Sequence, residues 1–95
     1  MTERDAYVAK MKAKLDEWNA ELDKLSARAD AVKADARLEY EEAITEIRAR
    51  RDEAQHELTK LAAAGESAWD DIRKGADAAY DSLGVAFKNA LSRFK

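Results

Sequence analysis

A carboxylate and an imidazole stand one helical turn apart in Glu53-Ala54-Gln55-His56, the one constellation in the chain with the look of a metal site. Di-metal helical bundles use this E-x-x-H spacing on two helices and add an inward carboxylate from each of two more. The 95 residues contain a single histidine, so a homodimer would have to supply the second copy. Helical phase argues against that arrangement. His56 lies two residues from Ala54 and two from Leu58, roughly 200° around a helix from each of those apolar positions, and so faces solvent. One histidine, three scattered glycines and no cysteine also exclude a Ser–His–acid set, a thiolate nucleophile, a Cys-type zinc or iron–sulfur site and a Gly-rich phosphate loop. The chain reads as non-enzymatic, with no catalytic, cofactor-binding or metal-ligating residues and no cofactor.

The elements that would carry any site are helices. Pro is absent and Gly occurs three times, while Ala, Glu, Asp, Lys, Arg and Leu fill most positions, a composition of long helices and coiled coils. An apolar ladder with alternating steps of three and four runs through Val8, Met11, Leu15, Trp18, Leu22, Leu25, Ala29, Val32 and Ala36. That alternation is a heptad seam, a stripe too narrow to be satisfied unless another helix lies against it. It predicts self-association, as a homodimer or small bundle, with the heptad arm as the main assembly surface.

Beyond Ala36 the period changes. The heptad frame would next place Glu39, Ala43, Glu46 and Arg50 in the seam, and three of these are charged; the apolar series is instead Ala36, Tyr40, Ile44, Ile47. Such 4,4,3 spacing is what a four-residue stutter produces in heptads. The stripe passes Arg51, Ala54, Leu58 and Leu61, then settles into Gly65, Trp69, Ile72, Ala76, Tyr80, Leu83, Phe87, Leu91 and Phe94. An 11-residue repeat corresponds to about 3.67 residues per turn, straight or slightly right-handed. The reading is one all-α, elongated coiled-coil domain over 1–95, with a heptad arm (5–38), a stutter (36–47) and an 11-residue-repeat arm (58–95). Its second seam comprises Leu58, Leu61, Trp69, Ile72, Ala76, Tyr80, Leu83, Phe87, Leu91 and Phe94.

Two readings compete at residues 61–67. Gly65 after three alanines could take the left-handed position that ends a helix, and Ser67 with Asp70 resembles a capping box opening the next. A long helix over about 3–64, a break near Gly65 and a second amphipathic helix over about 68–93, forming a helical hairpin, follow from that reading. The 4,4,3 frame crosses Gly65 without a slip, however, which also fits a continuous helix. An uninterrupted helix of about 60 residues would be roughly 90 Å long, and the last arm could fold back over residues 36–64.

Charge narrows the partners. The chain holds 17 basic and 20 acidic residues, without the concentrated Lys and Arg excess of a nucleic-acid footprint. The first residues, Met1 to Lys14, are charged and lack the apolar run of a secretory signal, and no stretch approaches the roughly 18 apolar residues of a membrane span. A cytoplasmic location is expected. From Gly84 onward no acid occurs, only Lys88, Arg93 and Lys95 among Val85, Phe87, Leu91 and Phe94. Cations there complement a helix C-terminus, and the same pattern would suit an anionic membrane surface; Asp70, Asp71, Asp77 and Asp81 on the same helix oppose the second use.

Pairs at helical spacing, Lys12 with Asp16, Arg37 with Glu41, Glu46 with Arg50 and Arg48 with Asp52, mark an exposed surface worth only about 0.2–0.5 kcal/mol per pair. Trp18 and Trp69 read as core fillers in the seams. Arg51, the polar seam residue, would need a carboxylate such as Glu53 or Asp52 from a neighbouring chain.

The segments Tyr7-Val8, Lys14-Leu15-Asp16-Glu17-Trp18-Asn19-Ala20-Glu21, Arg51-Asp52-Glu53-Ala54, Ala68-Trp69-Asp70-Asp71-Ile72 and Ala86-Phe87-Lys88-Asn89-Ala90-Leu91 resemble those of short, charged bacterial coiled-coil proteins. Some of that group are labelled stress-response proteins by similarity to a cyanobacterial member. The resemblance spans nearly the whole chain and implies a cytoplasmic bacterial protein associated with stress; it supplies no site residues. The expected function is structural self-association. The alternatives are reversible binding of an anionic membrane surface through the last arm, and service as a helical scaffold or adaptor, with Ala29, Ala36, Ala43 and Ala54 leaving a thin seam for another protein's helix.

Overall fold

The computed structural model describes residues 2–94; Met1, and Lys95 of the basic tail, lie outside the described residues. Three helices follow one another: α1 (Glu3–Ala31), α2 (Ala34–Ala63) and α3 (Trp69–Arg93). Among the described residues there is no strand. The molecule measures 51 × 21 × 18 Å, and a 30-residue helix such as α2 is about 45 Å long, so the domain is one helix long. The helices run up, down and up again. Asn19 of α1 meets Arg51 of α2, Tyr40 near the start of α2 meets Phe94 at the end of α3, and Tyr7 of α1 meets Trp69 at the start of α3.

The long helix expected over about 3–64 is corrected to two antiparallel helices. The chain turns at Val32 and Lys33, both extended (φ −91°, ψ 164° and φ −64°, ψ 155°). The frame shift read as a stutter at residues 36–47 therefore marks a helix beginning anew. No Gly or Pro stands there to signal it. What holds the turn is Arg37, whose Nε and Nη2 donate to the carbonyls of Ala29 (3.2 Å) and Asp30 (3.1 Å), capping the last turn of α1.

The chain also turns between Ala63 and Trp69, but without the local chemistry anticipated. Gly65 does not adopt a positive φ; α2 ends at Ala64, whose N–H donates to the Leu61 carbonyl. The N-cap of α3 is Ala68, which offers no side-chain cap, so Ser67 and Asp70 form no capping box. The Gly65 carbonyl instead accepts from the N–H groups of Ala68 and Trp69. A capping box does open α1: Thr2 accepts from the Asp5 N–H and Asp5 accepts from the Thr2 N–H.

The core lies along α2. Ile47, Leu61 and Leu83 are the largest side chains fully withdrawn from solvent. No polar or charged residue is buried among the described residues. The α2 backbone comes within 8 Å of both neighbours, whereas among the described residues the α1 and α3 backbones do not approach each other that closely. Small residues permit the close approach on α2, where Ala43 and Ala54 are buried and Gly75 of α3 lies against Glu57. Rings fill the wider gap between α1 and α3.

Candidate functional site

On the α1–α3 side, the Trp18 ring sits 5.4 Å from Tyr80 and 6.3 Å from Phe87, nearly parallel to the latter. Gly84 lies beneath it: a Cβ there would meet the indole at 3.7 Å. Above this cluster, Tyr7 makes an edge-on contact with Trp69 at 6.0 Å and its hydroxyl donates to the Asp77 carboxylate. The Tyr80 hydroxyl reaches the Met11 carbonyl across the gap at 3.0 Å. Both phenols are pushed up from the ordinary tyrosine value, Tyr80 to about 12, by burial first and the Asp16 charge second; for Tyr7 burial also leads, followed by its bond to Asp77.

Trp18 and Tyr80 line a groove of about 450 Å³ between α1 and α3, together with Gly84, Val85, Asp81, Lys14 and Lys88. Lys14 Nζ lies 5.8 Å from the Trp18 ring centre, within cation–π range. A second groove, about 430 Å³, lies between α1 and α2 over Val8, Leu15, Leu58 and Ala62. Neither contains a nucleophile paired with a base. Both combine apolar and charged side chains in their lining.

The two seams expected from sequence converge on one core. Met11, Leu15, Leu22, Leu25 and Ala29 of the first are buried; Val8, Trp18 and Val32 are half-buried; Ala36 is exposed at the start of α2. Of the second, Leu58, Leu61, Ala76, Tyr80, Leu83 and Phe87 are buried, Trp69, Ile72 and Phe94 half-buried, and Leu91 is 44 % exposed, with Ala90 taking the inward place. The heptad stripe of α1 is thus covered by α2 and α3 of its own chain. It does not stand open to a second copy, as the sequence alone suggests. Arg51, similarly, finds its partners within the chain, at Asp52 (3.1 Å) and Asn19 (3.2 Å).

Glu53 and His56 are both exposed, and no group of three or more acids or histidines gathers tightly enough for a metal ion among the described residues. Of the charge pairs read from spacing, Glu46–Arg50 forms at 4.0 Å, while Arg37 is drawn to the turn carbonyls instead. Sequence reasoning missed the Thr2–Asp5 box, for which the T-x-x-D spacing was a signal, and the Arg37 clasp, for which there was none. No helix among the described residues is long and apolar enough to cross a membrane. No family model, curated protein or solved structure matches the chain.

Proposed function

We propose that the protein is a non-catalytic helical association module that pairs with a second copy of itself, in the cytoplasmic and stress-linked setting implied by its resemblance to small bacterial coiled-coil proteins. One observation carries this reading. The heptad stripe of α1 is received by a surface that α2 and α3 form together, and α1 is joined to them by only two non-helical residues. A surface that recognises this chain's own α1 recognises the identical helix of another copy equally well. The core, built from apolar and aromatic side chains, fits a structural role. Sedimentation equilibrium of the whole chain from micromolar to millimolar concentration tests it. A mass that rises from one chain to two is expected, and a fully helical monomer throughout would sink the reading.

A second reading, reversible attachment to an anionic lipid surface through α3, rests on the loose α1–α3 side. Releasing α3, which also parts it from α2, would free Trp69, Tyr80, Phe87 and Phe94 beside Lys88 and Arg93, the amphipathic character such helices need. Flotation with anionic liposomes decides it; protein left at the bottom of the gradient ends the idea.

A further inference from the structure

The turn between α1 and α2 lacks the residues that most strongly interrupt a helix. Asp30-Ala31-Val32-Lys33-Ala34-Asp35 contains neither Gly nor Pro, no described residue has a positive φ, and Lys33 gives α2 no side-chain cap. Bending here leaves the first N–H groups of α2 and the last carbonyls of α1 without helical partners. The apolar spacing meanwhile runs straight across the bend, through Leu25, Ala29, Val32, Ala36, Tyr40, Ile44 and Ile47 in steps of three and four. In the closed chain Ala36 is exposed and makes no use of its place in the series, while Val32 packs half-buried against the core. The bend is clasped instead by Arg37, reaching back seven and eight residues to Asp30 and Ala29. In a straight helix residues 29 and 37 would lie about 12 Å apart along the axis, so the clasp belongs to the bent form alone.

We infer that the chain has a second state, a domain-swapped dimer in which α1 and α2 fuse into one helix over residues 3–63 and each α2–α3 pair receives the α1 of a second copy. This rests on the self-association reading and specifies how it is achieved. The contacts of Trp18 with Tyr80 and Phe87, of Tyr80 with the Met11 carbonyl and of Arg51 with Asn19 all re-form between copies. What changes is confined to the bend. The clasp is lost, the missing helical hydrogen bonds form, and Val32 and Ala36 meet their counterparts across the twofold axis. The fused helix is about 90 Å long, against 51 Å for the closed molecule.

Ala34→Pro separates the two states. Ala34 is the first residue of α2, where Pro is welcome; Lys33 before it already has the extended ψ of 155° that a following Pro prefers; and the Ala34 N–H makes no backbone hydrogen bond across the turn. Inside two fused helices the same Pro lowers dimer association by about 10⁴-fold. Arg37→Ala, which removes only the clasp, raises it about tenfold. The chain has no cysteine, so spin labels can be placed at Ala20→Cys and Glu53→Cys, both exposed sites. With doubly labelled chains diluted into unlabelled ones, the intrachain distance is expected to be about 50 Å in the dimer fraction and on the order of 20 Å in the monomer, across two neighbouring helices. A dimer with the short distance, or one that a folded Ala34→Pro chain still forms, overturns the swap and leaves self-association standing. No dimer from either the parent chain or Arg37→Ala overturns both. The distance on the parent chain decides the matter even where the Pro variant fails to fold.

Discussion

The flanks of α2 and the flank between α1 and α3 close the same bundle with different proportions of aliphatic and aromatic side chains. Against α2 the backbones come close, and the space is taken mainly by Ala, Leu and Ile, with a glycine at one contact and one stacked ring pair, Tyr40 on Phe94, at the end of α3. Between α1 and α3 the backbones stay apart and aromatic rings span the distance. Close aliphatic packing surrounds every atom with partners, so its loss leaves a cavity. Tyr80 and Phe87 are buried there too, but Trp18, Tyr7 and Trp69 are only half-buried, and a ring that keeps part of its surface toward water has less to lose. The comparison teaches that stability is concentrated along α2, while the α1–α3 side is the part of the bundle that opens most easily.

The sharpest way to break that comparison is to truncate one residue from each flank. Leu83→Ala, at a fully enclosed position of α3, is expected to destabilise by about 2–5 kcal/mol, read by urea unfolding followed by circular dichroism. Trp18→Ala removes a larger side chain, but one that is only half-buried, and about 2 kcal/mol is expected, below the 3–5 kcal/mol of a fully buried Trp. If the tryptophan proves the costlier loss, the α1–α3 side is the structural centre and the comparison is inverted.

Much of this division could be read from the residues, and the limits are instructive. The helical character and the inward positions from Met11 to Ala29 follow from spacing, because a 3,4 ladder has one face whatever covers it. What covers it is not encoded in the ladder. A seam buried within a monomer and a seam buried between chains have the same periodicity, and the bend at Val32–Lys33 depends on Arg37 finding carbonyls eight and seven residues back, a contact that exists only after folding. Near the end of α3 the 11-residue frame points to Leu91, while the structure buries Ala90. There the helix must satisfy α1 and α2 together, and the wider buried arc admits its smaller neighbour. The aromatic groove was legible only as separate seam positions, since Gly84 beneath Trp18 gives no periodic signal.

Two glycines of α3 compare the flanks at smaller cost. Gly84→Ala faces the open α1 side, where the new methyl would meet Trp18 at an ordinary 3.7 Å, so the helix-propensity gain of about 1 kcal/mol should appear nearly in full. Gly75→Ala faces α2, where the methyl would come within 2.9 Å of a Glu57 carboxylate oxygen. That flexible side chain can move, yet moving it disturbs its 3.1 Å bridge to Lys60, and a smaller gain is expected. Thermal melts of the two variants should therefore rank Gly84→Ala above Gly75→Ala; equal midpoints would show that the α2 flank is no tighter than the other.

The smallest expected effect concerns a buried hydrogen bond that joins α1 to α3. Tyr80→Phe removes a hydroxyl bonded to the Met11 carbonyl, an acceptor that keeps its partner within α1, so about 0.5–1 kcal/mol is expected at neutral pH. The pH dependence is the more informative measurement. The Tyr80 phenol is raised from 10.0 to about 12 in the folded chain, which means that the folded state holds its proton more tightly than the unfolded one. Its contribution is complete below pH 10.0 and is lost as pH rises toward 12, because over that interval the unfolded state releases the proton first. Unfolding midpoints between those values should fall more steeply for the parent chain than for Tyr80→Phe. Tyr7 shifts in the same direction and leaves a residual slope in the variant, which Tyr7→Phe should remove. Parallel curves for parent and Tyr80→Phe would mean that water already reaches the phenol, and that the α1–α3 side stands open in the folded chain.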